Sequence, residues 1–181
     1  MDLKVHKPSI ARKTYQYDLL RGGFDGILDT GIETFCLFIA IRHFNAGSGI
    51  KAIIASSPWV GMLLSLILVH YASKTGRRKS LCAALPAFLS GACIFFSAQS
   101  NWLEVFTLFT FIAYTSKSAL IPFLTSIYSD NYPPDKRGQL LSNPIRLTVT
   151  CSILFSFGAS WVLDLNLDNW TIIFSLIGLS G

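Results

Sequence analysis

The sequence predicts an all-α protein: a multi-pass transmembrane helical bundle with five full spans and the start of a sixth. Three observations indicate this class. Of the 181 residues, 51% are hydrophobic and only 14% are charged, which is too little charge to cover a soluble domain. The apolar residues form runs of about 20, the length that crosses a bilayer core as a helix. The basic residues lie in short clusters between these runs, so the net charge of +5 does not indicate nucleic acid as a partner.

The predicted spans follow a cytoplasmic tail over residues 1–18, and each is a mainly apolar run. They lie at about 19–41, 50–72, 80–98, 102–128 and 143–163. Short polar or basic linkers separate them, at 44–49, 74–79, 99–101 and 132–138. Runs of this length lack the period-two alternation of strands, and this favours helices.

A sixth apolar run, 170–181, is still apolar where the sequence stops. Its twelve residues, at about 1.5 Å each, reach only about 18 Å, which is too short to cross a bilayer. We therefore expect the natural protein to continue past Gly181.

The basic residues predict the orientation. Twelve of the 15 Lys and Arg residues fall in or next to the tail, in the 74–79 linker or in the 132–146 segment, all on one side of the predicted bundle. The positive-inside rule places that side, with the N-terminus, in the cytoplasm of a multi-pass protein of the cell membrane. Trp102, Trp161 and Trp170 then fall near the outer boundary, where tryptophan side chains anchor helices.

Three acidic residues interrupt the first span. Asp25, Asp29 and Glu33 are four residues apart, and at about 100° per residue they share one stripe of a helix. Each charge at a helix centre costs roughly 2.5–3.5 kcal/mol on an insertion scale, so the acidic groups of the stripe must face water, face a partner or be protonated. Lys117 of the fourth span lies at a similar depth. The sequence therefore predicts that Asp29, Glu33 and Lys117 form a substrate- or ion-binding site near the middle of the membrane.

Two structural interpretations stay open for these charges. Asp25 can lie at the inner boundary and pair locally with Arg21, one helical turn earlier. The pair of Asp29 and Lys117 can instead serve only to clamp two helices together.

Small residues have mainly packing roles. Gly22 and Gly26 form a small-xxx-small pair, which permits close contact between helices. The four cysteines lie in apolar segments and form no CxxC pair, so we interpret them as packing residues. No metal and no cofactor are predicted.

Two linkers carry a family resemblance. Residues 70–79 read HYASKTGRRK, which resembles the signature loop of the major facilitator superfamily, Gly-x-Leu-Ala-Asp-Arg-x-Gly-Arg-Arg. The matching residues are Ala72, Lys74, Gly76, Arg77 and Arg78, whereas Val69, Tyr71 and Ser73 replace the Gly, the Leu and the acid. Residues 132–138, YPPDKRG, resemble the junction with Pro and Arg-Gly that the family often has between spans four and five.

The resemblance implies the N-terminal six-helix half of a twelve-helix transporter, with a missing C-terminal half of the same protein as its partner. In that fold the first and fourth helices line the central cavity, where Asp29, Glu33 and Lys117 fall. It also implies a structural or gating loop, formed by Lys74, Gly76, Arg77, Arg78, Arg137 and Gly138. Because Ser73 replaces the acid, the charge network that the family forms at this loop lacks one member.

The expected function is secondary active transport of a small polar or charged solute by alternating access, with a proton or a cation as an optional coupling ion. The alternative is a small self-associating or assembly-factor membrane protein without transport activity. An enzyme is not expected. Residues 25–29 faintly resemble the acidic metal motif of lipid phosphotransferases, but the Ala-Arg that should follow and a second acidic pair are absent.

Overall fold

The computed structural model describes residues 8–76 and 78–181, and within these ranges the chain forms helices and no strand. In chain order the helices are α1 (Pro8–Thr30), a π-helical turn (Gly31–Phe35), α2 (Cys36–Arg42), α3 (Ser48–Thr75), α4 (Lys79–Ser97), α5 (Leu103–Asn131), α6 (Arg137–Leu165), a 3-10 turn (Leu167–Asn169) and α7 (Trp170–Ser180). The all-α prediction is confirmed. Residues 8–18, predicted as tail, belong to α1, while residues 1–7 lie outside the described part of the chain.

Four helices are long and apolar enough to cross a membrane, judged by length and composition. They are α3 over Ser48–Lys74, α4, α5 and α6, and they overlap the second to fifth predicted spans. The first predicted span, about 19–41, is helical but is divided among α1, the π-helical turn and α2. Its charged residues lower its hydropathy, so it does not count among these apolar helices. The structure thus supports a helical membrane protein with four candidate spans in the described residues, and the first of the five predicted full spans stays a prediction.

Backbone chemistry sets two of the helix ends. Gly76 follows α3 with a φ of 61°, a left-handed conformation that costs glycine little because it has no Cβ. Tyr132 follows α5 in an extended conformation, and the next residue is Pro133. The proline ring disfavours helical geometry at the residue before it, so α5 ends there.

The bundle is built from helix pairs in which α1 packs against α6, α3 against α5, and α4 against both α5 and α7. The first pair is very close. A Cβ atom built on Gly22 would lie 2.8 Å from the carbonyl oxygen of Pro144, and one on Gly26 would overlap the carbonyl oxygen of Thr148. The predicted small-xxx-small pair therefore lies at the crossing of α1 and α6.

An apolar core fills the end of the bundle that was predicted to be the outer one. Its most buried side chains come from the first helical run, α3, α4, α5 and α7, and include Ile32, Phe35, Cys36, Ile39, Ile54, Ile94, Phe106, Phe174 and Ile177. Trp170 is only 2% exposed and packs on Phe44 and Phe106, with ring centroids 5.7 Å away in each case. The interpretation of Trp170 as an interfacial anchor is therefore wrong, because the ring fills the core. Trp102 and Trp161 are exposed.

Candidate functional site

Polar side chains form a stripe along α1. Asp18, Arg21, Asp25 and Asp29 follow one another at intervals of three or four residues, which places them on one face of the helix. A stripe on α5 has the same spacing and faces the first, with Tyr114, Lys117, Ile121, Leu124 and Tyr128. Two facing stripes with this period bring their side chains together over several helical turns.

Arg21 is the centre of the inner part of this cluster. Its Nη2 donates to the hydroxyl of Tyr128 at 2.8 Å and to Oδ1 of Asp18 at 2.9 Å, and its Nη1 donates to Oδ2 of Asp25. The Tyr128 hydroxyl donates in turn to Oδ1 of Asp18 at 2.6 Å. The Asp18 side chain is only 4% exposed, and its Oδ2 has no hydrogen-bond partner among the described residues.

Lys117 is the centre of the deeper part. It is the middle residue of α5, with fourteen helical residues on each side. Its Nζ donates to Oδ1 of Asp25 and lies 3.1 Å from Oδ1 of Asp29. The cluster is therefore an alternating chain of acids and bases, in the order Asp18, Arg21, Asp25, Lys117 and Asp29.

The structure combines two interpretations that the sequence left as alternatives, a local ion pair at Asp25 and an ion-pair cluster around Lys117. Asp25 pairs with Arg21, as the local alternative proposed, and one of its oxygens also reaches Lys117. Sequence reasoning also missed Asp18 and Tyr128. The signal for Asp18 was available, because it lies on the same stripe as Arg21 and Asp25. No comparable signal identified Tyr128, whose role depends on which face of α5 meets α1.

Two adjoining cavities lie between these stripes. A central cavity of about 220 Å³ is lined by Asp25, Asp29, Glu33, Tyr114, Lys117, Ser118 and the apolar Ile32, Leu120, Ile121 and Leu124, with Arg21 at its inner end. An inner cavity of about 320 Å³ begins on the other side of Arg21 and is lined by Asp18, Tyr128 and Arg137, and by residues of α6 from Leu141 to Thr148. We call the two together the α1–α5 cleft. Arg21, Ile121 and Leu124 line both cavities.

Glu33 lies at the far end of the central cavity, in the π-helical turn. The amide N–H of Cys36 donates to the carbonyl of Gly31, five residues earlier, which is the hydrogen-bond pattern of a π-helix. Such turns insert one extra residue and are frequent at functional sites. In the described part of the chain, no Lys, Arg or His nitrogen lies within 4 Å of the Glu33 carboxylate. Glu33 therefore shares the cavity with Lys117 without pairing with it.

The residues predicted as a structural or gating loop have different environments. Lys74, Gly76, Arg78 and Gly138 are exposed, and Arg77 lies outside the described residues. Arg137 is half-buried and lines the inner cavity. Its Nη2 donates to the carbonyls of Ser129 and Tyr132, at 3.2 Å and 3.5 Å, so it caps the end of α5.

A charge contact also forms at the predicted signature loop, although Ser73 replaces the acid. Nζ of Lys79, at the start of α4, lies 2.6 Å from Oδ2 of Asp130 and 2.7 Å from Oγ of Ser126, both near the end of α5. The acidic partner of this contact therefore comes from the last turn of α5, just past the fourth predicted span, rather than from the loop itself.

Tyr132 closes the inner end of the cluster. Its ring stacks on that of Tyr128, with centroids 5.5 Å apart and planes 3° from parallel, and its side chain is fully buried. Burial raises the pKa of the Tyr132 hydroxyl to about 12, so this group stays protonated at neutral pH.

These observations define the class of protein as a helical membrane bundle with a charged cleft between α1 and α5. In residues 8–76 and 78–181, no group of three or more His, Cys, Asp or Glu side chains is placed to hold a metal ion. Comparisons with protein-family models, with curated proteins and with solved structures find no significant match to this chain.

Proposed function

We propose that the chain is half of a secondary transporter for a small polar or charged solute, which binds in the α1–α5 cleft. One observation carries the proposal. A cavity of about 220 Å³ opens beside the middle residue of α5, and Asp29, Glu33 and Lys117 all line it. Ionisable residues at this depth of a membrane protein are costly, and they are retained mainly where they bind substrates, ions or protons.

The cavity favours binding over a purely structural clamp. A clamp of two helices needs only the contact between Lys117 and its two carboxylates, and close packing around that contact would stabilise it further. Here an open volume adjoins the ion pairs instead. The π-helical turn at Gly31–Phe35 also interrupts the first helical run where it borders the cavity, a departure from regular geometry that a clamp does not require.

The topology belongs to the same proposal. We infer that α1, the π-helical turn and α2 together cross the membrane as a first span, because the charged stripe faces the cleft and not lipid. That gives five full spans, followed by α7 as the start of a sixth, with the N-terminus in the cytoplasm of a cell-membrane protein. The resemblance at residues 70–79 and 132–138 supports a half of the major facilitator type. A second half of the same protein would then cover the open side of the cleft.

Transport in proteoliposomes tests the function. We would reconstitute the purified full-length protein and measure saturable uptake of a labelled primary amine, carboxylate, amino acid and sugar, with and without a pH gradient. One of these classes should be taken up. Asp29→Asn and Lys117→Ala should each reduce that uptake about tenfold or more, since each removes a charge that lines the cavity. Asp164→Asn is the matched control, because Asp164 is an exposed carboxylate near the end of α6 that lines neither cavity.

Two results would count against the proposal. If Asp29→Asn and Lys117→Ala left uptake and its pH dependence unchanged, the cleft would not be the transport site. If no solute were taken up while both variants lowered the stability of the protein, the ion pairs would act as a clamp in a non-transporting membrane protein.

A further inference from the structure

The α1–α5 cleft has more acidic groups than its basic groups can neutralise. The bonded chain contains three carboxylates, from Asp18, Asp25 and Asp29, but only two bases, Arg21 and Lys117. Each base is shared between two carboxylates. Glu33, on the wall of the central cavity, adds a fourth carboxylate.

Both ends of the cleft show unused acceptor capacity. At the inner end, Oδ2 of Asp18 is buried and has no hydrogen-bond partner among the described residues, although Asp18 lines the inner cavity. At the other end, the Glu33 carboxylate has no basic group within 4 Å in the described part of the chain. The buried Asp18 oxygen without a donor is costly, and the exposed Glu33 carboxylate has no base to neutralise its charge. Both positions can therefore accept a ligand that brings positive charge and N–H groups.

Arg137 does not remove this excess, because with it the cleft still has four carboxylates and three bases. It lines the inner cavity, where its Nη2 donates to the backbone carbonyls of Ser129 and Tyr132 and its Nε has no hydrogen-bond partner among the described residues. It does not line the central cavity, whose bases are Lys117 and, at the inner end, Arg21.

The ammonium of Lys117 shows which kind of cation fits. Its Nζ bridges Asp25 and Asp29, with an N–O distance to Asp29 of 3.1 Å, which suits a charged N–H donor. The described residues offer no cluster of side chains suited to a metal ion. The rest of the central cavity is mostly apolar, with Ile32, Leu120, Ile121 and Leu124, and it has room for a short hydrocarbon group.

We propose that the cleft binds a small primary ammonium cation, which replaces the ammonium of Lys117 on Asp29 and is also held by Glu33. This inference rests on the proposed transport function, of which it names the substrate class. Lys117 acts as a tethered competitor: it neutralises the carboxylates when the cleft is empty and yields when the soluble cation arrives. The short apolar tail of that cation occupies the space between α1 and α5.

Binding in detergent tests the substrate class independently of transport. We would titrate the purified protein with propylammonium chloride and, separately, with sodium propionate, which has a similar size and the opposite charge, and follow the melting temperature. Propylammonium should raise the melting temperature saturably, and propionate should not. Sodium chloride at equal concentration controls for ionic strength.

Two variants sharpen the test. Glu33→Gln should weaken propylammonium binding about tenfold, while Asp164→Asn on the exposed face of α6 should leave it unchanged. Lys117→Met should bind propylammonium about tenfold more tightly, because the tethered competitor is gone. If Lys117→Met does not fold, the comparison of Glu33→Gln with Asp164→Asn decides alone.

Each outcome separates the two proposals. Stabilisation by propionate, no saturable effect of propylammonium on the wild-type protein, or unchanged affinity in Glu33→Gln would overturn the ammonium site. If proteoliposomes then took up an anion or a sugar, transport would stand and only the substrate class would fail. If propylammonium bound as expected but no solute were transported, the site would stand and the transport function would fail.

Discussion

The crossing of α1 and α6 allows a sharp test of the fold, because Gly23 and Gly26, three residues apart on α1, differ in how closely α6 approaches them. A Cβ built on Gly26 would overlap the carbonyl oxygen of Thr148 and lie 3.0 Å from Cβ of Cys151. A Cβ built on Gly23 would be in ordinary contact, 3.9 Å from the Leu147 side chain and 4.0 Å from Sγ of Cys151. We therefore expect Gly26→Ala to disturb the crossing and Gly23→Ala to leave it intact.

The magnitude follows from these contacts. Alanine at position 26 requires α1 and α6 to separate by about 1 Å before the new methyl group reaches a normal distance from the Thr148 oxygen. Overpacking of this kind costs about 1–3 kcal/mol. Both alanine variants gain the same helix propensity, about 1 kcal/mol over glycine in an isolated helix. The difference between the two variants therefore isolates the crossing, and Gly26→Ala should be about 1–3 kcal/mol less stable than Gly23→Ala.

Two measurements check this expectation. Titration of the detergent-solubilised protein with SDS, followed by circular dichroism, gives the relative free energies of unfolding. The alkylation rate of Cys151, measured in a Cys82→Ser background, reports the crossing itself, because Cys36 and Cys93 are buried and only Cys82 and Cys151 are half-buried. Cys151 should react faster in Gly26→Ala than in Gly23→Ala. Equal stabilities with equal alkylation rates would show that α1 and α6 do not cross at Gly26.

Three further predictions concern the cleft and the helix ends. Lys117→Met should lower the free energy of unfolding by about 1–3 kcal/mol in SDS titration, because Asp29 loses its base. The loss stays moderate because Asp25 keeps Arg21 and the Asp29 side chain is one-third exposed. Adding Asp29→Asn should restore part of the lost stability, and no change on adding it would contradict the pairing of Lys117 with Asp29. Tyr128→Phe should cost about 1–2 kcal/mol in that assay, since the hydroxyl bonds to both Arg21 and Asp18, whereas the exposed Tyr71→Phe should be neutral. Gly76→Ala should lower the free energy of unfolding by about 1–2 kcal/mol, because φ is 61° at Gly76 and a side chain is strained in that left-handed conformation. Gly138→Ala should not lower it, because a methyl group there meets only open space. Equal effects of the two substitutions would refute the left-handed end of α3.

The sequence predicted the helices better than the spans. Long apolar runs between short polar or basic linkers identify α3 to α6. In a membrane the backbone must satisfy its own hydrogen bonds, and a helix is the simplest way to do so. The first predicted span, about 19–41, was harder to predict. Its length and spacing predicted a helix, but Asp25, Asp29 and Glu33 reduce its hydropathy, and nothing in the local sequence indicates the π-helical turn at Gly31–Phe35.

Two of the ion pairs were predicted, Asp25 with Arg21 and Asp29 with Lys117, and both form. The contact of Lys117 with Asp25 was not predicted. Counting residues from the predicted outer boundaries places Lys117 about 15 residues deep, between Asp29 at about 12 and Asp25 at about 16, at roughly 1.5 Å per residue. Asp25 was nevertheless left out of the predicted site, because it can also lie at the inner boundary and pair locally with Arg21. Tyr128 was missed because sequence alone does not show which face of α5 meets α1, whereas Asp18 was missed although its spacing from Arg21 and Asp25 places it on the same stripe of α1.

The central position of Lys117 in α5 also constrains how the bundle is assembled. With fourteen residues on each side, about 21 Å of helix separates the ammonium from either end, and a lysine side chain is too short to reach a membrane surface from there. If α1 crosses the bilayer as proposed, its carboxylates enter the membrane before α5 has been synthesised. Each helix therefore carries an unfavourable charge until the other arrives. The pairing of α5 with α1 is then a late step of biogenesis that is driven by the opposite charges. A chain that stalls before this pairing should remain a substrate for membrane quality control.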